Sequence, residues 1–132
     1  MAKDRDKRKQ SKSKTPKLVL VNEFRENHLI VPSHTAHVYA RQGNNYFYMN
    51  ITTSPISKRG RKYVPMTKNP NRNPKPQYKG VKSYFNPEPK MTNRKHFGNP
   101  KKDWELHPDD EKEMQKYRLF DFDEKGRPKK GK

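Results

Sequence analysis

Apolar and polar residues alternate most regularly between Ala36 and Thr53. Within that stretch, Tyr46-Phe47-Tyr48-Met49-Asn50-Ile51-Thr52 is the densest aromatic and β-branched run in the chain, and such residues fit a pleated, half-buried surface. Side chains on a strand alternate between its faces, so Phe47, Met49, Ile51 and Thr53 share an apolar face while Tyr46, Tyr48, Asn50 and Thr52 share a wet one. Upstream, Ala36, Val38 and Ala40 alternate with His37, Tyr39 and Arg41, and a Gly43-Asn44 turn signal lets the two runs pair as a hairpin across Gln42 to Asn45. Residues 17–21 (KLVLV) read as a short buried strand behind Pro16. After a polar link, NEFRENH, a further apolar run of Leu29, Ile30 and Val31 stops at Pro32. Four strand candidates with no helical period between them predict a mainly β fold, either a small antiparallel sheet or an SH3-like barrel.

Beyond Pro55 the alternation thins. Residues 62–66 are expected to add one edge strand, because Tyr63, Val64 and Met66 favour strands whereas Pro65 is tolerated only at an edge. Pro70, Pro74, Pro76, Pro87, Pro89 and Pro100, with asparagines beside them, oppose regular structure. Residues 67–103 are therefore expected to wrap as an extended segment, with KGVKSYF at 79–85 as its one apolar anchor. A C-terminal helix is predicted near 108–120. Pro108 suits the first turn, Asp109, Asp110 and Glu111 sit where the helix dipole favours anions, and Met114, Tyr117 and Leu119 or Phe120 form an apolar stripe that docks with Trp104 and Leu106. The chain so divides into a basic arm at 1–16, one β-rich domain at 17–122 and a basic tail at 123–132, both ends being expected to lack structure.

Charge changes the picture by pointing to a partner. Only 27% of the residues are hydrophobic against 35% charged, so the core must be small, and 32 Lys and Arg against 14 Asp and Glu leave a net charge of +18. Self-repulsion of that size favours an anionic partner, with nucleic acid the first candidate. No basic segment carries the apolar stripe that a membrane surface would take up, and LVLV is the longest apolar run, which argues against a signal peptide or a transmembrane span. The absence of cysteine excludes disulfides and thiolate metal sites. The expectation is a cytoplasmic protein without cofactor or metal. His34 and His37 in SHTAH fall on opposite faces of a strand, which is poor geometry for a shared metal. Neither a glycine-rich phosphate loop nor a GxSxG elbow occurs.

Cations interleaved with aromatics supply the candidate binding residues: Arg41, Tyr46, Tyr48, Lys58, Arg59, Arg61, Lys62, Lys68, Arg72, Arg94 and Lys95. Tyrosines beside a cationic groove make a platform for stacking unpaired bases, and the same rings can instead serve to cover a thin sheet. RNA is favoured over duplex DNA because the one good helix is acidic at its start and would be repelled from a groove. The leading expectation is an RNA-binding or ribonucleoprotein-associated protein without catalysis. A DNA-binding accessory protein of a phage or mobile element is the more distant alternative.

The segment YMNITTSP resembles the strand and TSP turn of the RNA-antagonised endoribonuclease toxins of type III toxin–antitoxin systems, which have a small MazF/PemK-like barrel. The resemblance is confined to this strand and turn. It implies that Thr53 and Ser54 line an RNA-cleaving site with Lys58 as the cation, and that an RNA or protein antitoxin is a partner. Cleavage would then be metal-independent, activating a ribose 2′-hydroxyl and stabilising the charged phosphate, work that His34 or His37 would share.

Overall fold

Strand β1 (Leu18–Asn27) lies antiparallel to β2 (His34–Gln42), which turns into β3 (Asn45–Thr52), in a computed structural model that describes residues 16–130. Gln42 pairs with Asn45, so the loop is only Gly43-Asn44, and Gly43 has a φ of 61°, the sign required at the first central position of a type II′ turn. Beyond β3, β5 (Tyr84–Phe85) pairs with Ile51 and Thr52 and carries the edge strand β4 (Val64–Pro65), where Pro65 is tolerated as expected. Along the other half of β3 runs β6 (Lys90–Asn93), and β7 (Phe97–Pro100) pairs with β1 on the far side. These seven strands form one mainly antiparallel sheet in the order β4-β5-β3-β2-β1-β7, with β6 on β3.

β6 and β7 are two halves of one continuous segment, bent by the short 3-10 turn Arg94–His96. One half pairs with β3 and the other with β1, so the segment bridges over β2 and curls the sheet around a small inner core of Ala36, Val38, Tyr46, Tyr48 and Phe97. The Phe97 ring sits 5.4 Å from that of Tyr46 and 5.0 Å from that of Tyr48. The face of β3 expected to be wet is thus a second core. Its cover comes from far along the chain, where the local alternation cannot report it.

The outer core gathers Phe24, Tyr39, Phe47, Met49, Ile51, Met66, Phe85 and Met114. A bulge explains why β2 feeds both cores: Val38 faces Tyr48 and Ala40 faces Phe47, leaving Tyr39 as an extra residue. Ala36 and Val38 therefore point to the inner core, whereas Tyr39 and Ala40 join the outer one. Helix α1 (Pro108–Gln115) closes the outer core with Met114, and His107 Nδ1 caps it by accepting the Asp109 amide at 3.1 Å. The helix is shorter than the expected 108–120, because Phe120 belongs to a hairpin of β8 (Phe120–Phe122) and β9 (Pro128–Lys130). Between helix and hairpin, the buried Arg118 donates to both Glu111 oxygens at 3.2 and 3.3 Å and lies 4.9 Å over the Tyr39 ring.

Several expectations are corrected. KLVLV is not buried: Leu20 is 54% exposed, and β1 bulges between Leu20 and Glu23 so that the polar link behind it turns Phe24 and Asn27 inward. Leu29, Ile30 and Val31 form a turn instead of a strand, with Val31 92% exposed, because the Asn27 side chain accepts the Leu29 amide at 3.0 Å and bends the chain first. The wrapping segment at 67–103 supplies β5, β6 and β7; Pro70, Pro74 and Pro76 precede these strands, Pro87 and Pro89 separate β5 from β6, and Pro100 ends β7. The tail expected to be unstructured at 123–132 is ordered as far as β9. Asp123 Oδ1 accepts the amides of Lys125 and Arg127, both at 2.9 Å, and Gly126 with a φ of 76° completes the turn. Except for Pro16, the basic arm at 1–16 lies outside the described residues. Among those residues no helix is long and apolar enough to cross a membrane.

Candidate nucleic-acid interface

Asn69, Asn71 and Asn73 recur at every second position in NPNRNP. An asparagine side chain readily accepts the backbone amide two residues on. Here the Asn71 amide donates to Asn69 Oδ1 and the Asn73 amide to Asn71 Oδ1, each at 3.0 Å. The Ser83 hydroxyl also donates to Asn69 Oδ1, at 3.2 Å. Two backbone bonds clamp this segment to residues 103–105, Arg72 N to Asp103 O at 2.7 Å and Glu105 N to Pro70 O at 2.8 Å. At its start, the buried Asp110 carboxylate accepts the amides of Thr67 at 2.6 Å and Lys68 at 3.3 Å. A carboxylate on the helix thus sets the course of the asparagine segment.

Facing that segment are the first residues of β2 and the end of β3, and the space between is a cleft of about 680 Å³. Lys75, Lys101 and Lys102 line it, against Asp103 as the one acidic residue of the lining. Tyr78, 49% exposed, stands at its edge. His34 and Thr53 line the opposite wall. Partial burial lowers the pKa of His34 below the ordinary imidazole value, so the ring is neutral at pH 7 and can accept a proton or a hydrogen bond.

Of the residues that the toxin resemblance implied, the cleft brings together only His34 and Thr53. Ser54 is turned away from the lining, its amide donating to Thr52 Oγ1 at 3.2 Å in a local Ser/Thr turn. Lys58 and Arg59 occupy the tip of a separate loop, closed by an Ile56–Lys62 bridge and by the Ser57 hydroxyl, which accepts the amides of Arg59 at 3.3 Å and Arg61 at 3.0 Å. His37 is enclosed in the protein. Its Nε2 lies 2.9 Å from Asn22 Oδ1, an acceptor, which assigns the proton to Nε2, and burial with Arg118 nearby pushes its pKa down to about 3. It cannot touch RNA.

The tyrosine platform is also corrected. Tyr46 and Tyr48 lie beneath Phe97, with the Arg25 guanidinium 5.1 Å over the Tyr46 ring, so no base can stack on them. Of the two roles open to these rings, covering a thin sheet is the one they fill. Among the cations, Arg61 pairs with Glu88, and Lys62 is exposed beside it. Lys68 precedes the asparagine segment and Arg72 lies within it, pairing with Glu105 at 3.3 Å. Arg41, Arg94 and Lys95 lie at the other end of the sheet, where the Arg94 amide bonds Asn44 O at 2.7 Å. Eight strand steps separate His34 from Gln42, about 26 Å.

The cleft residues that sequence reasoning missed are Asn69, Asn71, Lys75, Lys101 and Lys102. Their one legible signal was asparagine at every second position. No protein-family model, curated protein or solved structure matches the chain.

Proposed function

We propose that the protein binds single-stranded nucleic acid, RNA in preference to duplex DNA, in the cleft between the strand ends and the asparagine segment, without catalysis. The observation that carries this is the composition of the cleft: three lysines and a wall of amides and hydroxyls, against a single carboxylate. Lysines attract phosphate through space, neutral donors bond its oxygens, and an exposed ring such as Tyr78 offers a base a stacking surface. Duplex recognition through α1 is disfavoured because Asp109, Asp110 and Glu111 crowd its first turn.

The test is a salt titration of binding to a single-stranded RNA oligonucleotide, with a duplex DNA of equal length as competitor. If about six phosphates are contacted, log affinity falls with log salt at a slope near −4. Lys75→Ala with Lys102→Ala, both exposed, should flatten that slope by about 1.4, two single-strand phosphate contacts. An unchanged slope would remove the cleft from the binding surface.

One observation favours a second reading, the metal-independent endoribonuclease. A neutral His34 and Thr53 share the cleft, and an imidazole there could take the proton of a 2′-hydroxyl. Gel analysis of the same RNA after incubation with chelator separates the two. Intact RNA supports binding alone, whereas cleavage that disappears in both His34→Ala and Thr53→Ala would favour the nuclease.

A further inference from the structure

An asparagine side chain offers one acceptor oxygen and two amide donors, and reading adenine requires both ends at once. In this cleft the acceptor ends are already engaged. Asn69 Oδ1 takes the Asn71 amide and the Ser83 hydroxyl, and Asn71 Oδ1 takes the Asn73 amide. Neither Nδ2 makes a hydrogen bond among the described residues, and both residues line the cleft. At Asn69 and Asn71 the wall therefore presents free donors whose own acceptor oxygen is already bonded. A base edge that mixes donors and acceptors is poorly matched by such a wall, while phosphate oxygens need donors alone. Lys75, farther along the same wall, adds the positive charge.

We infer that Asn69 and Asn71 form a row of donors that holds phosphate oxygens of a single strand irrespective of its sequence. This rests on the cleft being the binding site, and the experiment keeps the two questions apart.

Asn71→Asp preserves the oxygen that accepts the Asn73 amide, hence the turn, and replaces the unbonded NH₂ with a carboxylate oxygen. Asn86→Asp is the control, since Asn86 makes the same kind of turn with the Glu88 amide at 3.0 Å away from the cleft and suffers the same change of charge. Binding is measured with oligo(A), oligo(U) and oligo(C) RNA of equal length. Asn71→Asp should weaken all three to a similar extent, by about tenfold or more, as expected for losing a charge-assisted bond and adding repulsion, whereas Asn86→Asp should stay within about twofold of wild type. Asn71→Ser keeps a side-chain acceptor for the turn but is too short to reach the cleft, and it should weaken the three probes equally without adding charge. A loss confined to oligo(A) would show that the asparagines read bases and would overturn the inference. So would effects no larger than the control. If the Lys75 and Lys102 changes still weaken binding in that case, the cleft remains the site and only the donor row is lost; if they do not, both proposals fall.

Discussion

Two histidines three residues apart show how far a single position can depend on its surroundings. His34 opens β2 at the wall of the cleft, while His37 is sealed beside Phe24 with its Nδ1 unbonded. The folded pKa of His37, about 3, lies below its ordinary value of 6.5. Between those values the unfolded chain binds a proton that the folded chain refuses, so stability is complete above pH 6.5 and declines as pH falls, by up to about 1.4 kcal/mol per unit. The urea midpoint should therefore drop between pH 7 and pH 5. His37→Gln, which retains an amide donor toward Asn22, should flatten the profile in that window; a profile as steep as wild type would assign the dependence to another group. The half-buried Asp123 acts at lower pH. Backbone amides of the β8–β9 turn, that of Arg127 first, hold its carboxyl below the usual value, so its contribution is lost only as pH falls further, below that value. Spacing alone placed the two histidines on opposite faces correctly, but not which face would be closed.

Among the elements, α1 illustrates what a local pattern can and cannot carry. Pro108 at the start, the acidic first turn and the inward Met114 were legible because each depends on neighbours within a turn or two. The role of Asp110 was not, because the amides it accepts belong to residues more than forty positions upstream. Asp110→Ala leaves the Thr67 and Lys68 amides without their acceptor and should cost about 1–3 kcal/mol. The same change should speed hydrogen exchange at those two amides and weaken nucleic-acid binding through the loosened asparagine segment. Unaltered exchange would separate helix and cleft. The same distinction divides the strands. β2, β3 and the Pro65 edge follow from alternation and turn residues, whereas β1 bulges where its partner demands it and β6 and β7 exist because β3 and β1 have open edges. The C-terminal hairpin did have a local sign, FDF before DEKG, which the surrounding charge obscured.

For the whole molecule, composition implied a small core but not the cleft, whose walls come from positions as distant as His34, Thr53, Asn71 and Lys101. Phe97 has a comparable reach: from β7 it covers tyrosines on β3 and fixes the curl of the sheet. Phe97→Ala should lower stability by about 3–5 kcal/mol in chemical denaturation. Tyr46→Phe and Tyr48→Phe should cost much less and leave RNA affinity within about twofold of wild type, since neither ring is accessible. A large loss of affinity from either tyrosine change would contradict that burial.

A sheet curled by a late segment also has a history in time. Phe97 follows Tyr48 by 49 residues, and β5 and β6, which pair with the outer edge of β3, are likewise made after it. At synthesis rates of about 5–20 residues per second, the nascent β1–β2–β3 meander waits about 2–10 seconds for its inner face to be covered. Until β5 and β6 emerge, late in that interval, β3 offers an unpaired edge beside two uncovered tyrosines, the combination that invites pairing with another chain. The lysine-rich stretch that emerges next adds like charge to every unfinished copy, and mutual repulsion holds such copies apart until the bend at Arg94–His96 brings Phe97 home.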